Sequence, residues 1–431
     1  MCPRIVIVGA GFGGLWAART LAGSQADVLL IDRNNYHTFL PLLYQVAAAE
    51  LEPEQIIYPI RTILRKLPNT EFIMAEVTGL NIASHTIEAD GSIIPYDYLI
   101  LAMGSTSHYF GVPGAAQYTF PLKTLEHGTS IRNHVLCRFE RAVYETDAEA
   151  RQRILTFAIV GGGATGVEFA GALAELIRGP LVKDYPQIDF TKVKILLLEA
   201  ADSLIPMMPD RSRRYAIERL KRMGVDVRLK TEVSRIEPDA VYLKSGEAIP
   251  TETVVWTAGV RGEPIAQAWG LPVARAGRVS LLPTLQLPEH PNVYVVGDLA
   301  YEEEDGRPLP MVAPVAVQQG IAAAKNIMLQ LSEKKPQPFR YRDRGTMVTI
   351  GRNAAVAQVG GRDFVGFSAW LLWLIVHLLN LIGFRNRILV MINWAWYYFL
   401  FEHAVRFIFP SHGPGAAKCS SRGQVDIDNR S

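Results

Sequence analysis

One pattern occurs twice in this chain, and that repetition restricts the fold more than any other feature. The first copy, Arg4 to Asp32, reads RIVIVGAGFGGLWAARTLAGSQADVLLID: an apolar run of strand length, the turn Gly9-Ala10-Gly11-Phe12-Gly13-Gly14, a helical pattern, and a second apolar run ending in an acid. The second begins at Arg153 with ILTFAIV, turns through Gly161-Gly162-Gly163-Ala164-Thr165-Gly166, continues as VEFAGALAELI, and ends KVKILLLEA at Glu199. Gly91 to Gly246, Pro95 to Pro250 and Gly104 to Gly259 repeat at the same displacement of roughly 155 residues, the mark of an internal duplication. Each copy has the strand, glycine turn, helix, strand and acid of a dinucleotide-binding unit. Gly9 and Gly161 allow the tight turn, Gly11 and Gly163 let backbone approach a pyrophosphate, and Gly14 and Gly166 let helix pack on strand. The helix N-terminus then presents free N–H groups and a partial positive charge to the anion. Asp32 and Glu199, at the ends of the second strands, are placed to accept from ribose hydroxyls.

A chain of 431 residues has room for two or three domains. A net charge of +2 argues against nucleic acid as the main partner. Cys2, Cys137 and Cys419 are widely separated and form no CxxC, so a disulfide framework, a metal site or a local redox pair is not expected, and a reducing compartment is. The apolar run Ile5 to Val8 is too short for a signal peptide.

Between the copies, Pro41, Pro53 and Pro59 exclude one long helix, residues 70 to 104 read as short strands, and a helical part is expected from Leu125 to Arg151. After the second copy, LLPTLQLPEHPNVYVVGDLA runs a strand, Val293 to Val296, into Gly297-Asp298. A strand followed by Gly-Asp after both nucleotide units is the second signature of flavin enzymes of this build, with the carboxylate on the ribityl chain. This strand is expected to return to the first sheet, making the first domain discontinuous. The expected fold is therefore α/β, with two Rossmann-like domains and a C-terminal membrane-anchoring helical segment. The boundaries are 1–115 with 276–335 for FAD, 116–275 for NADH, 336–410 for the anchor, and a disordered tail over 411–431. FAD contacts are expected from Gly9, Gly11, Gly14, Asp32, Arg33, Ala102, Gly104, Gly297 and Asp298; NADH contacts from Gly161, Gly163, Gly166, Glu168, Glu199 and Gly259. Glu199 would repel a 2′-phosphate, favouring NADH over NADPH.

Over roughly residues 4 to 408 the chain resembles the type II NADH dehydrogenases, single-subunit NADH:quinone oxidoreductases that do not pump protons. The resemblance rests on GAGFGG, on Asn35-Tyr36-His37 with Phe39 and Pro41-Leu42-Leu43-Tyr44-Gln45-Val46, on GGGATGVEFAGALAEL, TAGV and VYVVGDLA, and on Gly383 to Arg387 (GFRNR) followed by Asn393-Trp394-Ala395-Trp396. It implies FAD, NADH and a membrane quinone: ubiquinone, menaquinone or a demethylated naphthoquinone. It also implies that Glu168 sits between nicotinamide and flavin, orienting NADH or relaying a proton. The family's quinone motif, Ala-Gln-x-Ala-x-Gln, corresponds to Ala313-Pro314-Val315-Ala316-Val317-Gln318, so Ala313, Ala316, Val317 and Gln318 are the expected quinone residues. Gln318 lies on a helix expected from Val315 to Leu331. Pro314 replaces the first glutamine and removes a polar contact, which keeps a specialised quinone reductase of cofactor biosynthesis in view. A membrane-attached redox sensor with little turnover is the alternative from another class. Sulfide:quinone oxidoreductases share the architecture but need cysteines this chain does not place suitably. His37 is assigned no chemistry, and no metal is expected.

Residues 364 to 384 carry no formal charge, and a second apolar stretch runs from Ile388 to Phe401. His377 and Asn380 would lie deep in lipid if the first stretch spanned, whereas Trp370, Trp373, Trp394, Trp396, Tyr397 and Tyr398 suit a headgroup layer. The expectation is monotopic attachment to the bilayer surface, on the cytoplasmic face of the inner membrane, with a homodimer contact compatible with it.

Overall fold

The parallel strands Thr70–Met74, at one edge, then Asp27–Asp32, Arg4–Val8 and Tyr98–Leu101 follow in that order in a six-stranded sheet. Beyond Tyr98–Leu101 lies the parallel strand His290–Val295, and its antiparallel hairpin partner Gln286–Leu287 closes that edge. The expected return of this strand to the first sheet is thus observed. The structure is a computed structural model that describes residues 2–304, 306–400 and 405–409. It divides into two compact units: Met1–Phe39, Ile57–His108 and Gly259–Gly345 make the first, and Leu40–Ile56, Tyr109–Ala258 and Thr346–Ser431 the second. The tail expected to be disordered, 411–431, lies outside the described residues.

In the first unit alternate residues of each strand serve opposite faces, and both faces are buried, as in a parallel sheet covered on two sides. Ile5, Ile7, Leu30 and Ile100 pack with Ala17, Ala18, Ala323, Ala324 and Ile327. Those last five belong to the helices Phe12–Thr20 and Ala313–Leu331 or their packing layer. Val6, Val8, Leu29, Leu99 and Leu101 pack with Val77, Ile87, Ala89 and Ile94 of a three-stranded antiparallel meander. Each fully buried branched side chain contributes about 1.5–3 kcal/mol. The two helices approach so closely that a Cβ on Gly320 would stand 2.1 Å from the carbonyl oxygen of Gly13.

The second unit repeats this plan. Its parallel sheet orders Phe120–Pro121, Thr253–Trp256, Thr156–Val160, Lys194–Leu198 and Val225–Arg228. Its meander, Val233–Glu237, Ala240–Leu243 and Ala248–Pro250, shifts register between Val233 and Arg235, as the first meander does between Val77 and Gly79. The expected helix from Leu125 to Arg151 is two helices. Thr124 caps Leu125–Tyr144 by accepting from His127 N, and Asp147 caps Ala148–Ile154 by accepting from Glu149 N. Cys137 is buried in the first of these.

After residue 345 the chain forms a three-stranded antiparallel sheet, Thr346–Thr349, Ala355–Val359 and Arg362–Gly366, then the helices Phe367–Asn380 and Phe384–Leu400. The sheet was not foreseen. No helix among the described residues is long and apolar enough to cross a membrane. The first, at 14 residues, reaches about 21 Å, short of a hydrocarbon core of about 30 Å. The polar residues of the first helix bond to it: His377 Nδ1 pairs with Trp373 O at 2.8 Å and Asn380 Nδ2 with Val376 O at 2.8 Å. Arg387 caps the same helix by donating to the carbonyls of Leu379 and Leu381.

Candidate cofactor and substrate sites

The first glycine turn is shaped by its own backbone. Gly9 takes φ +102°, and a Cβ there would lie 2.4 Å from Ala102 O, while one on Gly14 would lie 1.8 Å from Gly9 O. A Cβ on Gly11 would meet nothing within 4 Å, so open space faces the start of helix Phe12–Thr20. That helix has no side-chain cap, and its first N–H groups are left for an anion. Asp32 accepts from Ala10 N at 2.6 Å and Asn34 N at 2.7 Å. These bonds pin the turn to the strand end, and a carboxylate's remaining lone pairs are left for ribose hydroxyls. Burial raises the Asp32 pKa against those two bonds.

Asp298 enters the same unit after the return strand. Gly297 takes φ +75° with its N–H donating to Gln319 Oε1 at 2.8 Å, and Ser105 Oγ donates to Asp298 Oδ2 at 2.5 Å. Gln319 is fully buried and was missed in favour of its neighbour; a polar side chain on the inward side of a helix was the available signal. Gly104 takes φ +77° beside Ser105, and Arg33 is exposed next to Asp32. The residues present fit FAD: an uncapped helix start with open space, an acid at the strand end, and a second acid on a glycine turn.

The second turn reproduces these contacts. Gly161 takes φ +111°, with a Cβ there 2.6 Å from Ala258 N; a Cβ on Gly166 would be 1.9 Å from Gly161 O, and one on Gly163 would meet nothing. Helix Ala164–Arg178 also starts without a side-chain cap. Glu199 accepts from Gly162 N at 2.5 Å and Ala201 N at 2.7 Å, matching Asp32 atom for atom. Gly259, expected with the NADH residues, groups with the first unit, where its carbonyl accepts from His108 N.

Glu168 lies in the first turns of the second helix and is half-buried. Thr349 N donates to its Oε1 at 3.5 Å, and burial raises its pKa to about 8. Such a carboxyl carries its proton at neutral pH, the state needed by a general acid. His37 has its Nδ1 against Ala10 O at 2.9 Å, with Phe12 edge-on to its ring, and burial lowers its pKa to about 4. It stays neutral and supports the turn.

Of the expected quinone residues, Ala313 opens the helix Ala313–Leu331, Ala316 is buried with its Cβ near Gly297, and Val317 is half-buried. Pro314 occupies the helix's first turn, where no N–H is needed. The Gln318 amide closes two bonds with Arg342, donating to its carbonyl and accepting from its N–H, both at 3.0 Å. We expect Gln318→Ala to loosen the segment around Arg342, read as faster amide exchange at residues 340–345 with flavin content unchanged.

Fold and site together define a pyridine-nucleotide-dependent flavoprotein oxidoreductase. Residues 3–320 match the family described as pyridine nucleotide-disulphide oxidoreductase, and residues 344–401 match the NDH2 C-terminal domain. The type II NADH:quinone oxidoreductase Ndh of Mycobacterium tuberculosis is 38% identical over 407 residues, covering 91% of this chain and 87% of that one. The type II NADH:quinone oxidoreductase of Staphylococcus haemolyticus is 32% identical, covering 85% and 92%. NDH2 from Plasmodium falciparum, solved in complex with NADH, superposes with a TM-score of 0.86 at 19% identity, over 93% of this chain and 99% of that one. The chain belongs to the pyridine nucleotide-disulphide oxidoreductase family and, within it, to the type II NADH:quinone oxidoreductases.

Proposed function

We infer that the protein is an FAD-dependent NADH:quinone oxidoreductase that passes two electrons from NADH to a quinone without pumping protons. The observation that carries this reading is the pair of equivalent cradles, each an uncapped helix start over an open glycine turn with an acid bonded back to it. FAD, when bound, supplies an acceptor for hydride and a two-electron donor to a quinone. The protein's own work is to hold the pyrophosphates at the two helix starts, to engage ribose hydroxyls with Asp32 and Glu199, and to keep a proton on Glu168. Ala313, Ala316, Val317 and Gln318 are the residues proposed to meet the quinone. For Gln318 that role requires its clasp on Arg342 to open. Turnover of NADH by the purified protein with ubiquinone, menaquinone and a demethylated naphthoquinone tests the reading. Quinone-dependent oxidation is expected, while reduction of a ferredoxin or a disulfide with no quinone turnover would defeat it. A rate confined to the demethylated naphthoquinone would identify a biosynthetic reductase, and slow reoxidation by every quinone a sensor.

Glu199 sets the nucleotide preference in this reading. Glu199→Ala should narrow the NADH over NADPH ratio in kcat/KM by about tenfold, a change of about 1.4 kcal/mol. An unchanged ratio would return Glu199 to pinning its turn.

We also propose monotopic attachment to the cytoplasmic face of a membrane through the C-terminal helices. Phe367, Leu371, Ile375 and Leu379, spaced by four, form an outward stripe, 45% to 62% exposed, on the helix whose Ala369 and Trp373 are buried. Phe384, Met391, Ile392, Trp396 and Phe399 are exposed on the next helix. Asn386, Asn393, Trp394 and Tyr397 take its other side, bonding to Glu54, Gln55, Gln45 and Glu175. Replacing Leu371, Ile375 and Leu379 together by Glu should leave the fold intact and release the protein from anionic vesicles in a flotation assay. Retention on vesicles contradicts the attachment, and a change from dimer to monomer without loss of vesicle binding would assign the stripe to a second copy instead.

A further inference from the structure

The second unit has a partly open cavity of about 40 Å³ beside helix Ala164–Arg178. A water needs about 10–15 Å³, so the cavity has room for a few waters. Two carboxyls, Glu50 and Glu175, face it, together with the phenols Tyr44 and Tyr397 and the amide of Gln45. This inference rests on the NADH:quinone reading.

Both acids sit in well-defined local structure. Glu175 Oε1 accepts from Arg352 N at 2.6 Å, and Oε2 accepts from Tyr397 Oη at 2.8 Å. A Cβ on Gly351, at φ +73°, would lie 2.5 Å from Glu175 Oε1, so glycine is required for the carboxyl to sit there. Glu50 follows Ala49, a fully buried alanine in the left-handed region at φ +57°. Such a residue costs about 1–3 kcal/mol and persists only where its surroundings enforce it. The turn is enforced by Glu50 N and Leu51 N, which both donate to Gln45 O at the end of helix Leu43–Ala47. Gln45 itself is fixed between Tyr44 Oη at 3.0 Å and Trp394 Nε1 at 2.9 Å.

Glu175 stands seven residues after Glu168, two turns along one helix face and about 10 Å away. The helix thus carries one acid near its nucleotide-binding start and another at the cavity. Burial raises the pKa of Glu175 and of Glu50, and for Glu50 the neighbouring Glu175 adds to the rise. Arg219 and Arg352 face Glu175 and oppose the rise there, while Glu168 and Glu50 bear on Tyr44. The Tyr397 phenol is pushed up by burial and by both acids and stays protonated.

The chemistry of the reaction asks for one such group. NADH gives up a hydride, two electrons and one proton, whereas reduction of a quinone to a quinol consumes two electrons and two protons. One proton per turnover must come from solvent. We propose that Glu50 and Glu175 are a proton store that delivers this second proton through cavity water and is then recharged from solvent. In that step a carboxyl O–H bond breaks, a quinol O–H bond forms, and the carboxylate left behind takes up a proton before the next turnover.

The test compares two acceptors in the flavin-loaded protein. A quinone needs protons; ferricyanide takes electrons without them. Glu50→Gln and Glu175→Gln should each lower kcat with quinone by about tenfold or more at pH 8, within the range for general acid catalysis, and leave the ferricyanide rate within about twofold. Tyr397→Phe, which keeps both acids and removes one bond to Glu175, should lower the quinone-to-ferricyanide ratio by about threefold and serves if an acid variant does not fold. An unchanged ratio in all three variants, or an equal fall with both acceptors, overturns the store while leaving the NADH:quinone reading intact. A wild-type protein that reduces ferricyanide and no quinone defeats both.

Discussion

An alanine at Gly14 is expected to abolish flavin retention and to lower the melting temperature of the whole protein. The added Cβ would stand 1.8 Å from Gly9 O and 3.2 Å from Ile7 Cγ2. Relief requires the glycine turn to move by more than an ångström, and overpacking at such a contact costs about 1–3 kcal/mol even in a core that adjusts. Here the neighbour is backbone fixed in the sheet by the Arg4–Val8 pairings, so the helix start itself must shift. Gly11→Ala is the internal control, because its Cβ meets nothing within 4 Å. It should fold normally and weaken flavin binding alone, since its methyl occupies the space in front of the helix start. The ratio of flavin to protein absorbance and the melting temperature separate the two variants; equal flavin content in Gly14→Ala and wild type would contradict the role given to the turn.

The second large effect belongs to Glu168. Glu168→Gln should bind both nucleotides yet turn over with quinone at least about tenfold more slowly, as loss of a general acid does. It should also change the pH dependence of stability. The folded pKa of about 8 lies above the ordinary value of 4.5, so the folded state binds the extra proton between those values. The associated stability is complete below about pH 4.5 and is lost as pH rises through about 8, up to a few kcal/mol. The glutamine variant lacks this slope. Melting temperatures at pH 5, 7 and 9 should fall more steeply for wild type than for Glu168→Gln, and parallel curves would place the carboxyl in a solvated setting.

How much of this was legible depends on whether a feature repeats or is made by distant contact. The duplication exposed both sheets, both glycine turns and the matching acids, because each element is specified locally by an apolar run, a glycine requirement or a strand end. The return of Val293 to the first sheet was legible for the same reason, since a short apolar strand before Gly-Asp has few other places to go. The C-terminal sheet was not. Its strands are four or five residues long and interrupted by glycines, and the uncharged stretch after them dominated the reading.

GFRNR and the following Asn-Trp motif were recognised as specific without any sign of their physical use. That use lies in contacts to residues some three hundred positions earlier: Asn386 on the carbonyls of Glu54 and Gln55, and Trp394 on Gln45. The grouping of residues 40–56 with the second unit is invisible for the same reason. Pro314 read as a lost polar contact and proves to be a residue well suited to a helix's first turn. Gln318 read as a quinone residue and is engaged with Arg342, while Gln319 beside it holds the Gly297 turn.

One bound flavin is reduced from NADH and reoxidised by a quinone. Stopped-flow absorbance on the purified yellow protein measures the two halves apart. NADH, far better than NADPH, should bleach the flavin band within a single turnover, and a quinone mixed in afterwards should restore it at a rate no slower than steady-state turnover. A band that NADH bleaches and no quinone restores, while a ferredoxin or a disulfide does, would contradict it.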